Sequence, residues 1–378
     1  MKLPGAKLWW AAFAFGITII VMMYPAEEAE NHRQSPHEVI LPYESGDPWE
    51  EEIDEISGVP AGAAGPESPD SRDEQDRTAA DRQGGQMTAF RSPLDSLFIN
   101  VYIAEEKRSE RIPLEVYVRG VVAGEMPANF ELEALKAQAI AARTYVYKLL
   151  SQPQEKEASA MFGDVSNTVE HQVYIPLKQL LSRWPDGEKQ IYLELLNRAV
   201  EETRGQIITY EGEPIEALFF STSNGYTENA EDYWGQAVPY LRSVESPWDA
   251  KLSPRYSSTV KMKLSDFYHK LEVKKGSEKS MRVLERTEGR RIKSISVGGK
   301  TFSGREIRER LELMSSHFIW RVQGKEIIFT TYGFGHGVGM SQWGANGMAR
   351  SGKTAEQILS HYYSGIRIKQ AMKLPNGI

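Results

Sequence analysis

Residues 121–145 read VVAGEMPANFELEALKAQAIAARTY. One carboxylate, Glu125, stands between a glycine and Met126-Pro127, and the helix-prone run behind it carries Lys136 and Arg143. A carboxyl at the end of a helix meets unpaired carbonyls and the negative end of the dipole, which disfavour a further negative charge. Val121, Val122 and Met126 offer an apolar wall beside it. Both effects raise a carboxyl pKa, as a general acid working at neutral pH requires. The plain alternative is a surface glutamate in a turn between two helices. Lys136 and Arg143 are seven residues apart and share one helix face, at the margin of its apolar stripe. Either their stems cover apolar surface while the heads reach water, or the heads line a cleft near Glu125 and hold substrate or order its turn. A cation in tight contact with Glu125 would lower the pKa of an acid, so all three cannot touch.

Two later stretches add candidates. FSTSNGYTEN (220–229) packs hydroxyls and amides, Ser221 and Ser223 among them, into a turn after a strand. Such groups suit sugar hydroxyls, and equally they make turns. YGFGHGVGMSQWGANG (332–347) is dense in glycine around His336. It reads as a loop whose backbone approaches a ligand, with His336, Ser341, Gln342 and Trp343 as contacts, or as a structural turn with a satisfied histidine. Val338 breaks the dinucleotide-binding glycine pattern. Residues 347–354 match the P-loop pattern, but MSQWGANGMA before them is not a buried strand, and Thr354 with Gln357 reads as a capping box. No nucleotide or nucleic acid is expected. The seven histidines form no paired-histidine motif, there is no cysteine, and no G-x-S-x-G appears, so no metal, thiolate or serine-nucleophile chemistry is expected, and no cofactor.

The elements that must position these residues follow from periodicity. FINVYIA from Phe98 alternates like a strand, PLEVYVRGVVAG reads as a short helix stopped by Gly124, and Glu131 to Leu150 reads as a long helix. On the long helix Leu132, Leu135, Ala139, Ala142, Val146 and Leu149 make one stripe, and the opposite side (Ala134, Ala137, Ala141, Thr144) is poor in charge. That predicts a helix packed on two sides near the centre of the fold. Later strands (GQIITY, IEALFFS, IKSISVGG, KEIIFTTYG) mix with helices (KQIYLELLNRAVEETRG, FSGREIRERLELM, TAEQILSHYYS) without a repeat or regular alternation. The expectation is an α+β fold: one large mixed domain over 93–378, with room for a smaller lobe around 245–325 where Lys and Arg are dense.

Charge is unevenly spread along the 378 residues, whose formal net charge is -7. Residues 25–90 hold 17 acids and 4 arginines, while the region beyond them is mildly basic. The stretch 25–92 is rich in Pro, Glu, Asp, Ser and Gly, and reads as a disordered acidic linker. Before it, Leu8–Tyr24 is an uncharged apolar run with Trp9, Trp10 and Tyr24 at its ends. Lys2 and Lys7 precede the run and Glu27, Glu28 and Glu30 follow it, so residues 1–24 read as a cytoplasmic stub and membrane anchor with the rest outside. A cleaved signal peptide would also export the remainder, although no small-x-small cleavage site follows the run.

Three motifs taken together go beyond spacing. VVAGEMPANFELEALKAQAIAARTY, FSTSNGYTENAEDYWGQAVPYLRSVESPWD and GFGHGVGMSQWGANGMA, in that order behind an N-terminal apolar run, closely resemble the stage II sporulation protein D family, membrane-anchored lytic transglycosylases of forespore engulfment. The likeness spans about residues 98–370. It implies cleavage of peptidoglycan glycan strands, preferably denuded of stem peptides, to 1,6-anhydro-muramic acid ends, with the G-E-M-P acid (Glu125) catalytic and the basic residues of the next helix (Lys136, Arg143) contributing. It further implies a place in the mother-cell membrane facing the wall, with stage II sporulation proteins P and M as partners. Some members bind zinc through a Cys/His pair where this chain reads SNTVEHQV, with His171 and no cysteine. A single carboxylate suffices for such a reaction, because the attacking hydroxyl belongs to the substrate, whereas ordinary glycosidases need two. Related domains occur as amidase enhancers that bind wall without cutting glycan, and this remains the alternative from another functional class.

Overall fold

The computed structural model describes residues 92–152, 163–168 and 171–375. The apolar run and the acidic linker expected before residue 92 lie outside them. Among the described residues, no helix is long and apolar enough to cross a membrane.

The order begins with β1 (Phe98–Ile103), β2 (Arg108–Pro113), α1 (Leu114–Glu125), α2 (Leu132–Leu150) and β3 (Val165–Ser166). It continues through α3 (Lys189–Glu201), β4 (Gln206–Tyr210) and β5 (Phe219–Phe220). Next come β6 (Ser257–Lys263), α4 (Leu264–Leu271), β7 (Arg282–Arg286), β8 (Ile292–Val297), β9 (Lys300–Ser303), α5 (Gly304–Arg310), β10 (Phe318–Gln323) and β11 (Glu326–Tyr332). The chain then closes with β12 (Met340–Ser341), α6 (Gln342–Arg350), α7 (Ala355–Tyr362) and β13 (Arg367–Gln370). Small sheets of two or three strands replace one large one: β2-β1-β3, β7-β8-β9, β10-β11-β6, and β13 against β4. This is the expected mixed α+β class.

The centre is α2, which packs against α1, α3, α6, α7 and β4. Its leucine stripe and its alanine side are both enclosed: Leu135, Ala139 and Val146, but also Ala134, Ala137 and Ala141, are fully buried. Small side chains let these elements close on one helix, and that is why the helix looked apolar all round in the sequence. Of the expected strand IEALFFS only Phe219–Phe220 is a strand, pairing parallel with β12. The polar strand β2 (RSERIP) was not foreseen, because its sequence alternates charge rather than hydrophobicity.

A second hydrophobic core, from Phe267 to Phe329, overlaps the stretch 245–325 but belongs to the same compact unit as α2. Phe267, Leu271, Ile292, Ile295, Phe302, Ile307, Phe318 and Phe329 form a cluster separate from the one around α2. The glycine-dense stretch joins the two. Phe334 pairs with Thr222 and Val338 with Glu228 by isolated bridges, and a Cβ on Gly337 would stand 2.3 Å from the guanidinium carbon of Arg291. That arginine is itself buried and paired with buried Glu228 at 3.7 Å. The backbone here therefore approaches protein rather than a ligand. The P-loop look-alike resolves in the same way. Gly347–Arg350 lies inside α6, and Thr354 and Gln357 exchange the two hydrogen bonds of a capping box.

Candidate active site

Glu125 is the last residue of α1. Gly124 does not stop the helix, contrary to expectation. Pro127 does so instead, by holding Met126 extended (φ -124°, ψ 147°). The glycine has another use. Gly120 and Gly124 are four apart on one face of α1, and the segment 173–175 runs along that face. A Cβ on Gly124 would meet the Val173 carbonyl oxygen at 2.4 Å, and one on Gly120 the Tyr174 ring at 2.4 Å. The groove lets the Val173 N–H donate to Glu125 Oε1 at 3.0 Å.

The other carboxylate oxygen faces α6. Gln342 Nε2 donates to Glu125 Oε2 at 3.4 Å. Two further contacts fasten the first turns of α6 to the α1–α2 connection. Trp343 packs edge-on to Phe130, with ring centroids 4.7 Å apart, and Asn346 Oδ1 accepts from the Glu131 N–H at 2.9 Å. Glu125 is half-buried, and burial pushes its pKa up to about 7 against the opposing pull of the Val173 and Gln342 hydrogen bonds. Among the described residues no ion pair reaches it. A carboxyl poised near neutrality, held by two neutral donors, can give a proton and take one back.

The other sequence candidates fall in different places. Arg143 is fully buried, and its guanidinium forks onto Glu115. It lines no cleft, so the substrate-clamp expectation for it fails. Lys136 is partly exposed and bonds Glu133 at 2.7 Å and Glu202, in a surface depression with Thr354 and Gln370. Neither cation contacts Glu125. Ser223 and Ser341 are enclosed. The Ser223 N–H donates to Asp249 Oδ1 at 2.8 Å, and Ser341 both caps α6 and donates to Asp249. Burial lifts the Asp249 carboxyl above its ordinary range, against hydrogen bonds from Ser341, Ser223 and Ser246. These residues fix where α6 begins, and so aim Gln342, but their side chains do not line a surface. Ser221 is half-buried, and its carbonyl accepts from the Trp343 N–H at 3.1 Å.

His336 is likewise structural. It is buried among Phe220, Tyr233 and Trp234, with Nε2 3.1 Å from the Phe219 carbonyl and Nδ1 accepting from the Val338 N–H at 3.1 Å. Burial, with Arg308 nearby, pushes its pKa down to about 3. It is the satisfied histidine of the two sequence readings. His171 turns Nδ1 onto Ser166 Oγ at 3.0 Å. With no cysteine in the chain, this segment does not supply a Cys/His zinc pair. Among the described residues, no group of three or more potential ligands gathers to hold a metal.

Sequence reasoning missed the residues behind Glu125. Val173 contributes a backbone amide, which no side-chain pattern announces. Tyr117 and Gln172, both buried, hydrogen-bond at 3.2 Å. The pair Gly120/Gly124 was the available signal for a chain segment crossing α1 at close range.

Comparison with known proteins gives the chain's family. The family described as "SpoIID: Stage II sporulation protein" matches residues 102–210. Stage II sporulation protein D of Bacillus subtilis (strain 168) is 46% identical over 298 residues, covering 78% of this chain and 86% of the relative. Its counterpart in Bacillus amyloliquefaciens is 45% identical over the same length, covering 84% of the relative. A more distant relative, "Amidase enhancer" of Bacillus subtilis (strain 168), is 28% identical over 303 residues, covering 66% of this chain and 39% of the relative.

Proposed function

We propose, from the premise that this chain belongs to the stage II sporulation protein D family, that it is a lytic transglycosylase of peptidoglycan glycan strands with Glu125 as its single acid–base. The observation that carries this reading is the carboxyl at the end of α1, raised to about 7 and bonded only to neutral donors. Protonated Glu125 gives its proton to the bridging glycosidic oxygen as the bond to the anomeric carbon breaks. The carboxylate then takes the proton of the muramic acid 6-hydroxyl, whose oxygen bonds to the same anomeric carbon. The product is a 1,6-anhydro end and water is not consumed, so one carboxylate completes the cycle. In this reading the half-buried Trp343, next to Gln342, stacks on a sugar of the strand.

The cellular setting is part of the proposal. The run Leu8–Tyr24 anchors the chain in the mother-cell membrane, residues 25–92 tether the domain outside, and stage II sporulation proteins P and M are the partners. Protease added to intact protoplasts removes the domain if this is right; full protection rules out the topology.

A second reading has one observation in its favour, the 28% identity to an amidase enhancer. Mass spectrometry of denuded strands treated with the protein separates the two. Anhydro ends made by the wild type and absent with Glu125→Gln support the transglycosylase. Reducing ends mean that water attacks and a second carboxylate acts. Intact strands together with a faster partner amidase establish the enhancer.

A further inference from the structure

One side chain, Tyr117, grips the neighbours of the residue that binds Glu125. Val173 gives its N–H to Glu125 Oε1 at 3.0 Å. Before it in the chain, Gln172 accepts at Oε1 from the Tyr117 hydroxyl at 3.2 Å. After it, the Tyr174 ring stacks on the Tyr117 ring, with centroids 5.6 Å apart and planes 18° from parallel. The Ile175 N–H then bonds the Gly120 carbonyl at 3.2 Å. Residues 172–175 form no helix or strand, so these contacts, rather than a ladder, set where the Val173 amide points.

The hydroxyl of Tyr117 calls for its own explanation. The residue is fully buried, and a phenylalanine would supply the same ring stack without a polar group to desolvate. Gln172 is 2% exposed, and its amide nitrogen has no hydrogen-bond partner among the described residues. Among the described residues, the Tyr117 hydroxyl is thus the one group that hydrogen-bonds this side chain. The amide so placed does more than steady the carboxylate. A backbone N–H donates and cannot accept, so when Glu125 is protonated Oε1 remains the acceptor; the Gln342 side-chain amide, unlike the backbone, can turn over and present its oxygen, so the proton sits on Oε2.

We propose that Tyr117 and Gln172 are positioning residues for Glu125: by fixing Val173 they set which carboxyl oxygen carries the transferable proton. This rests on the reading of Glu125 as the acid. Two readouts on the full chain test it. The first is the carboxyl titration of Glu125 in protein labelled with [δ-13C]glutamate, its signal identified by loss in Glu125→Gln. The second is the pH profile of kcat and KM on denuded strands. Tyr117→Phe keeps the stack and removes the hydrogen bond. Gln172→Met keeps the shape and removes the amide, and serves if the first variant does not fold. Loss of one N–H bond to the carboxylate raises its pKa by about one unit. The descending limb of kcat then moves to higher pH by the same amount, while kcat on the low-pH plateau falls about tenfold and KM holds. A titration that coincides with wild type in both variants, with only the thermal midpoint lowered, would falsify the proposal. If Glu125→Gln cleaves strands as well as wild type, the acid reading falls instead, and the titration still decides whether Tyr117 positions that carboxyl.

Discussion

The guanidinium of Arg143 forks onto the carboxylate of Glu115, with Nε 2.9 Å from Oε1 and Nη2 2.6 Å from Oε2. Arg143 has no exposed surface and Glu115 is 8% exposed. The pair spans α2 and α1. The same carboxylate accepts from the Gly205 N–H at 3.3 Å, and the arginine also donates to the Gln206 carbonyl at 3.2 Å at the start of β4. Arg143 is therefore a hub that locks three elements together, and any contribution to cleavage passes through the position of α1 and its terminal Glu125.

Arg143→Ala leaves a buried carboxylate without its partner. The expected cost is about 3–5 kcal/mol of stability, enough to unfold a marginal domain. Arg143→Lys fails as well, because an ammonium cannot reproduce the two-pronged geometry. Chemical denaturation of both variants checks this; a midpoint equal to wild type in either one contradicts the structural role.

How far this was legible in the sequence depends on what each residue presents. Glu125 stood out because a carboxylate at a helix break beside Met126-Pro127 is unusual chemistry in a short space. The central helix showed because alanine and leucine filled both of its sides. Arg143 misled, since a helical wheel locates a residue at the edge of a stripe but cannot say that Glu115, 28 positions earlier, waits there. Ser223, Ser341 and His336 misled for a related reason: hydroxyl-rich and glycine-rich turns look alike whether they face a sugar or close on Asp249 and Arg291. The Val173 amide was invisible, being backbone.

Glu125 should make the protein less stable as pH rises. Its folded pKa of about 7 lies above the ordinary 4.5. The folded state thus binds the proton more tightly, and the stability this provides is complete below about 4.5 and lost as pH rises through 7. Glu125→Gln removes that dependence, so at pH 8 the variant should be more stable than wild type by about 2–3 kcal/mol, with the gap closing toward pH 4. Paired urea titrations across this range measure it. A gap that does not change with pH means that the carboxyl titrates at its ordinary value.

Two histidines act in the opposite direction. His336 is held down to about 3 and His317 to about 4, each chiefly by burial and then by nearby arginines. A depressed folded pKa means that the stability is present above the unfolded value of 6.5 and is lost as pH falls toward the folded one. Wild type should therefore lose stability between about pH 6.5 and 4, and His336→Gln should flatten part of that loss. If the acid limb is the same in this variant, the neutral buried imidazole is not its source.

Gly124→Ala tests the groove on α1. On helix propensity alone, alanine is favoured over glycine by about 1 kcal/mol. Against this, the new Cβ would lie 2.4 Å from the Val173 carbonyl oxygen, a backbone atom that moves only with its whole segment. Overpacking of this kind costs about 1–3 kcal/mol, so the clash should equal or outweigh the propensity gain. The segment can yield only by drifting from α1, and the Val173 N–H then leaves Glu125 Oε1. The variant should therefore raise the Glu125 pKa and cut strand cleavage by tenfold or more, while the melting temperature falls only slightly. Gly187→Ala is the control, because a Cβ there meets nothing within 4 Å. If Gly124→Ala is as active as Gly187→Ala and melts higher than wild type, the close approach of Val173 to α1 does not hold the catalytic carboxyl.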